Sequence, residues 1–245
     1  HRIIRVNAWQ TLQFTDVYNS DVSVFTPNLT SKLLLKSGTK VLENLTGTVL
    51  ELGCGSGWIT EKLIQDHGTR EHKYWLSDIS EEAINNSMQN LIPPLAIENF
   101  AVGNCFKPWI NRQFDVIVND IAGISDGIAE ISDWYEGVPF RAGMDGLENT
   151  REVLAGISQY LASDGVFIAP IISLSDVVSY KALLANVFND VIFEGRTFWP
   201  MPDKIVENHQ LLNQLRRDGH ITLQEKYSKL LAFTEVCVCR NLKSD

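Results

Sequence analysis

Residues 49–57 read Val-Leu-Glu-Leu-Gly-Cys-Gly-Ser-Gly, and this block limits the folds open to the chain more than any other. An apolar strand over Gly47–Leu52 runs into a turn of alternating glycines, and a helical pattern follows from Trp58. Without a Cβ, Gly53, Gly55 and Gly57 can take left-handed torsions and let backbone approach a ligand closely. Such a turn also aims the first N–H groups of the helix at that ligand. About twenty residues later, the spacing at which a second strand should end, Tyr74-Trp75-Leu76-Ser77 leads to Asp78, a carboxylate placed for a ribose diol. A glycine turn alone is weak evidence. The block together with the timed acid points to a nucleoside ligand.

The pattern is not that of a dinucleotide site. Those prefer Gly-x-Gly-x-x-Gly, with the third glycine packed inside the helix. Here the glycines alternate, Trp58 stands where the third would fall, and Glu51 precedes the first. Glu51 is placed to meet an ammonium or to orient the loop. The block resembles motif I of the class I S-adenosylmethionine (SAM) methyltransferases. Ser77-Asp78-Ile79-Ser80-Glu81-Glu82-Ala83-Ile84 is similar to their second motif. The resemblance implies a cofactor site built from Glu51, Gly53, Cys54, Gly55, Gly57, Asp78 and Ile79, with Asp78 on the ribose.

At 245 residues the chain predicts one domain with an appendage. A net charge of −9 argues against a partner held through a nucleic-acid backbone, which needs a basic face. Cys54, Cys105, Cys237 and Cys239 lack the ligand spacing of a metal site, so no metal is expected. Four reduced cysteines and the lack of an apolar run of membrane-span length lead to the expectation of a cytoplasmic protein.

Strand and helix patterns alternate from residue 41 onward, which predicts a parallel α/β sheet. The expected strands are Thr48–Leu52, Lys73–Ser77, Glu98–Val102, Phe114–Asn119, Val166–Ile172, Val191–Glu194 and Phe233–Arg240. The expected helices are Trp58–Asp66, Glu81–Asn90, Asn149–Leu161 and Val177–Val187. The fold class is thus α/β, a Rossmann-like seven-stranded sheet with helices on both faces. Residues 1–40 form an N-terminal extension, helical over Thr30–Leu35, and 41–245 the cofactor-binding domain. An insertion over about 198–229, with a helix at Lys204–Asp218, either lies over the carboxyl edge of the sheet or packs elsewhere on the surface.

Methyl transfer is mainly positioning: the nucleophile must lie in line with the methyl group at about 3 Å. In such a sheet the groups that do this stand at the carboxyl end of the fourth strand, here Asn119-Asp120-Ile121-Ala122. The Asn119 oxygen can accept from an N–H and fix a nitrogen lone pair. Asp120 can do the same, hold a cation or accept a proton. Both can equally cap the following turn. Trp134, Tyr135, Phe140 and Arg141 follow this strand and either wall a substrate or pack a loop. Asp126, Glu130, Asp133 and Glu136 make the same loop acidic.

A narrower resemblance runs over roughly residues 22–172. Phe25-Thr26-Pro27 with Leu33-Leu34-Leu35 is similar to the entry of the amino-group methyltransferases. Ala142–Arg151 resembles the Gly-x-Asp-Gly-Leu…Arg segment of the release-factor glutamine methyltransferases of the HemK type. That family has Asn-Pro-Pro-Tyr after its fourth strand, and of these only Asn119 matches. The glutamine substrate is therefore not carried over, and Asp120 suggests a more basic acceptor. The family's adenine-binding acid after the third strand falls at Asn104, beside Cys105, with Phe106 near to stack.

The expectation is an enzyme that transfers a methyl group from SAM to a nitrogen of a protein, peptide or small molecule. Asn119 and Asp120 would be catalytic. Asn104, Cys105 and Asn119 would join the cofactor set. Trp134, Tyr135 and Arg141 would bind the substrate. An O- or C-methyltransferase of small-molecule biosynthesis and a SAM-binding subunit without turnover remain open.

Overall fold

The computed structural model describes residues 27–243 apart from Glu136. Residues 1–26, which include the Phe25-Thr26 part of the entry motif and most of the expected extension, lie outside the described residues.

The first described helix, α1 (Leu29–Leu42), begins where Asn28 Oδ1 accepts from Thr30 N at 2.8 Å and Ser31 N at 3.3 Å. Asparagine is a strong cap because its oxygen takes backbone donors that the helix cannot satisfy itself. Next come β1 (Gly47–Leu52), α2 (Trp58–His67), β2 (His72–Asp78), α3 (Glu81–Asn90), β3 (Phe100–Val102) and β4 (Phe114–Asn119). Then follow α4 (Asp126–Ile131), α5 (Glu148–Tyr160), β5 (Leu161–Ile172), α6 (Val177–Val187) and β6 (Phe188–Pro200). The chain closes with α7 (Asp203–Val206), α8 (His209–Arg217), β7 (Gln224–Lys226) and β8 (Lys229–Leu242).

The strands form one sheet in the order β3-β2-β1-β4-β5-β8-β6, with β7 paired to β8. β1 to β5 run parallel, and β8 runs antiparallel to β5 and β6. β1 and β4 lie at the centre and are apolar on both faces, as a doubly covered strand must be. Leu50, Leu52 and Ile117 pack against Val153, Leu154 and Ile157 of α5 and Tyr180 and Leu184 of α6. Val49, Val116 and Val118 face the other way, against Leu34 of α1, Ile59 and Leu63 of α2 and Ile84 of α3.

Among the described residues the sheet has the seven strands expected and one short addition, β7. β7 and β8 form a hairpin through Tyr227-Ser228, both at positive φ, in the register Lys226↔Lys229. That two-residue geometry matches strand twist, but without Asn-Gly the sequence gives no warning of it. The sixth strand extends well beyond Val191–Glu194 and takes in Phe198, Trp199 and Pro200. β8 supplies a ladder on both sides of an irregularity between Glu194 and Thr197, where Gly195 sits at φ +71°, so pairing overrides the poor strand propensity of Asp190 and carries the strand past Gly195. The expected helix over Lys204–Asp218 is two helices. Asn208 Nδ2 donates to the Lys204 carbonyl at 2.9 Å, the acceptor a continuing helix would need, and Asn208 N turns to Ile205 O instead.

α7 and α8 rest on α4. Ile205, Leu212, Leu215 and Ile221 meet Ile124, Ile128 and Leu174 in a third apolar cluster. The pair therefore buttresses the segment that follows β4, at the carboxyl edge of the sheet. Among the described residues, no helix is long and apolar enough to cross a membrane.

Candidate active site

At the carboxyl ends of β1, β2 and β4 lies a cavity of 470 Å³, within the usual range for small-molecule sites. Its floor is the glycine turn. Gly53 has φ +72°, and a Cβ there would stand 2.9 Å from Ile121 N and 3.0 Å from the Asp120 carbonyl. Only glycine lets the loops after β1 and β4 come this close. Gly57, at φ +76°, caps α2, and a Cβ there would stand 2.9 Å from Ser87 Cβ on α3. Gly53 N and Cys54 N both donate to Ser77 O, at 2.8 and 3.1 Å.

Asp78 ties β2 to this turn. Its Oδ2 accepts from Gly55 N at 3.0 Å and its Oδ1 from Ser80 N at 2.9 Å. The carboxylate keeps acceptor capacity for a further donor. Burial raises the Asp78 pKa, against the pull of these backbone N–H groups. Glu51 does not line the cavity. It is 2 % exposed and turns behind the loop, where its Oε2 accepts from Thr60 N at 3.1 Å and from the Thr60 hydroxyl. Of its two expected roles, this geometry is that of loop orientation. Burial first, then the Asp120 and Asp78 charges, push the carboxyl up to about 8 against the Thr60 hydrogen bonds.

Asn104 lines the cavity beyond β3, and its Nδ2 donates to Glu152 Oε2 on α5 at 2.8 Å. Cys105, Cys54 and Ile79 also line it. Phe106 does not. It is 4 % exposed and stacks on Tyr160, with ring centroids 4.5 Å apart and planes 9° apart, inside the core.

At the end of β4 the expected pair divides. Asn119 is buried and outside the cavity lining, and its Oδ1 has no hydrogen-bond partner among the described residues. Asp120 lines the cavity, its backbone N donates to Leu52 O at 2.8 Å, and its Oδ2 accepts from Ser31 Oγ at 3.0 Å. Burial pushes it up to about 7, the Ser31 hydrogen bond opposing and the Asp78 charge adding. A simple turn cap does not account for Asp120, because its carboxylate bonds α1 rather than its own turn.

The mouth is formed by the segment after α4. Tyr135 and Arg141 line it, but Trp134 does not. Trp134 packs edge-on to Trp199, centroids 5.8 Å apart, in the cluster under the insertion. Arg141 is held by Asp126 Oδ2 at 3.2 Å and Glu130 Oε1 at 2.8 Å. Asn149 Nδ2 fixes the loop by donating to Ala122 O at 3.0 Å and Arg141 O at 2.8 Å. The Gly143–Leu147 segment is a latch: Asp126 N donates to Gly143 O, Glu148 N to Ala142 O and Asp176 N to Asp145 O. A Cβ on Gly146 would stand 2.8 Å from the Ile124 carbonyl carbon.

Sequence reasoning missed Pro27, Asn28, Thr30 and Ser31, which line the cavity from the start of α1, and Asn149, Pro170 and Ile172. No local pattern signals that Ser31, at the start of α1, meets Asp120 at the end of β4.

The donor set fits SAM. The turn admits backbone only, Asp78 retains acceptor capacity, and the acids around the cavity suit a ligand bearing a sulfonium and an ammonium. Among the described residues, Arg141 is the one basic side chain in the lining, and it is already paired with acids.

A family model for a methyltransferase domain matches residues 44–235. A release factor glutamine methyltransferase of Rhodospirillum rubrum is 32% identical over 155 residues, covering 57% of this chain and 44% of its own. The chain thus spans less than half the length of that relative. Two solved structures share the fold. The ribosomal protein L11 methylase of Lactobacillus delbrueckii subsp. bulgaricus has a TM-score of 0.52 at 15% identity, over 89% of this chain and 82% of its own. A protein described as a ribosomal RNA methyltransferase of Plasmodium falciparum has a TM-score of 0.51 at 15% identity, over 88% and 97%. With about four-fifths of the chain, including the glycine turn and all of β1 to β7, inside the matched span, the chain belongs to the methyltransferase-domain family and has the class I SAM-dependent fold.

Proposed function

We propose that this chain transfers a methyl group from SAM to a nitrogen of a protein, peptide or small molecule. The single observation that carries this reading is at the end of β4: an Asp120 carboxylate that faces the cavity, with its Oδ2 held by Ser31 Oγ at 3.0 Å. A carboxylate taken out of water is costly unless donors satisfy it. An N–H brought by an acceptor would supply one. A subunit that only binds cofactor has no use for the arrangement, and an oxygen or carbon acceptor brings fewer donors to it.

In this reading the Gly53–Gly57 backbone holds the amino-acid part of the cofactor, Asp78 the ribose diol, and Asn104 the adenine amino group through Oδ1, which also accepts from the Cys105 thiol at 3.4 Å. SAM supplies an electrophilic methyl group, and the chain's residues supply alignment. Asp120 orients the nitrogen, Asn119 ends β4 behind it, and Tyr135, Phe140 and Arg141 wall the acceptor. The R. rubrum relative is described as acting on a release factor glutamine; the missing prolines and aromatic after Asn119 leave that acceptor without support here.

The test is transfer of tritiated methyl from SAM to a panel of peptides and small molecules bearing amines, amides, hydroxyls or activated carbons. Label on nitrogen supports the reading. Label confined to oxygen or carbon overturns the acceptor assignment.

A further inference from the structure

Resting on that reading, we infer that the acceptor is a protonated amine, that Asp120 receives it through Oδ1, and that Ser31 is the positioning residue that holds Oδ2. The geometry carries this. Ser31 Oγ approaches Asp120 Oδ2 at 3.0 Å across 89 residues of sequence, and Ser31 is itself 4 % exposed. Its hydroxyl fixes the rotation of the carboxylate and occupies one oxygen. The other remains for the cavity.

The charges point the same way. Among the described residues, the titratable groups facing Asp120 are Glu51 from β1, Asp78 from β2 and the Tyr135 phenol. Two are acids, and burial, with the Asp120 charge adding, raises the third. The ion pairs among the described residues omit Glu51, Asp78 and Asp120 altogether. A half-enclosed carboxylate without a counter-cation is costly, and a cationic ligand relieves it. A carboxamide acceptor brings no charge. An ammonium does.

The chemistry balances. The N–H bond of the ammonium breaks and its proton passes to Asp120 Oδ1, leaving a neutral amine and a neutral acid. The nitrogen lone pair forms the N–C bond while the C–S pair returns to sulfur, so the positive charge moves from sulfur to nitrogen. Asp120 returns its proton to water when the product leaves. A carboxyl held near 7 is matched to this exchange, since it can take a proton and lose it again near neutral pH.

The test is a binding comparison that needs no acceptor. S-adenosylhomocysteine (SAH) keeps the cofactor's own ammonium but has a neutral sulfur. Sinefungin places an additional ammonium where the methyl group would be transferred. Calorimetry on the full chain should show that Asp120→Asn weakens sinefungin by about 10–100-fold, the loss of a hydrogen bond to a charged group, and leaves SAH nearly unchanged. The sinefungin-to-SAH affinity ratio should rise with pH through about 7 in the wild type. That midpoint should move higher in Ser31→Ala and return in Ser31→Thr. Equal weakening of both ligands in Asp120→Asn would assign Asp120 to the cofactor's own ammonium and overturn the inference, as would an unchanged ratio. Failure of the wild type to bind SAH would instead sink the methyltransferase reading itself.

Discussion

Asp78 accepts a hydrogen bond from Gly55 N at 3.0 Å, so the acid that ends β2 holds the turn that follows β1. One side chain thus shapes the loop and faces the cavity with its remaining lone pairs. Asp78→Ala should lose both functions. SAH affinity should fall by about 1–3 kcal/mol, or 5–150-fold, by calorimetry. Tight NAD binding with no SAH binding would refute the cofactor.

Asn104 is held by Glu152, so its amide has a fixed orientation. Asn104→Leu should weaken SAH while the circular dichroism spectrum stays that of the wild type. Glu152→Ala, which removes the acceptor and leaves Asn104 able to rotate, should cause a smaller loss. Unchanged affinity in Asn104→Leu would mean that the adenine is held by backbone alone.

Gly53 cannot accept a side chain, because a Cβ would enter the backbone after β4 and φ is +72°. Gly53→Ala should cost about 1–3 kcal/mol, which for a domain of this size lowers Tm by about 2–12 °C. It should also abolish measurable SAH binding. A wild-type melting curve with intact binding would show that the two loops can separate freely.

Glu51 and Asp120 are both raised in the fold, to about 8 and about 7, and burial is the main cause for each. The folded chain therefore binds more protons than the unfolded one between about pH 4.5 and 8. The stabilisation from their neutral forms is complete below the unfolded value and is lost as pH rises through the folded values. The ligand-free protein should melt at a lower temperature at pH 8.5 than at pH 5.5. Glu51→Gln, whose amide oxygen can still accept from Thr60, should flatten that dependence. A Tm that rises with pH in the wild type would contradict the burial of these acids.

Asp120→Asn should lower turnover of the labelled acceptor by about 10²–10⁴-fold, the range for losing a proton acceptor, and Asn119→Ala, which removes only an amide behind the cavity, by less. SAH affinity should barely change in either. Full turnover in both variants would return the search for the acceptor site to Tyr135 and Arg141.

The amino-acid sequence by itself determined the parts of this protein that are local. The β1–glycine turn–α2 unit, the acid ending β2 and the apolar β4 each follow from a few consecutive residues, because glycine torsions, strand alternation and helix caps act over short range. It also determined that Asn119 and Asp120 would end a buried strand. Tertiary structure alone decided what those residues meet. Ser31 reaches Asp120 only because α1 folds back over the sheet, and no spacing encodes that. Trp134 turned from the cavity to Trp199 because the insertion offered an apolar surface in which to bury it. Phe106 likewise went to Tyr160 rather than the cavity. β6 took its length from the ladder that β8 provides, a partner some forty residues away. Aromatic residues and edge strands go where non-local burial and pairing are best satisfied, and those partners exist only once the chain has folded.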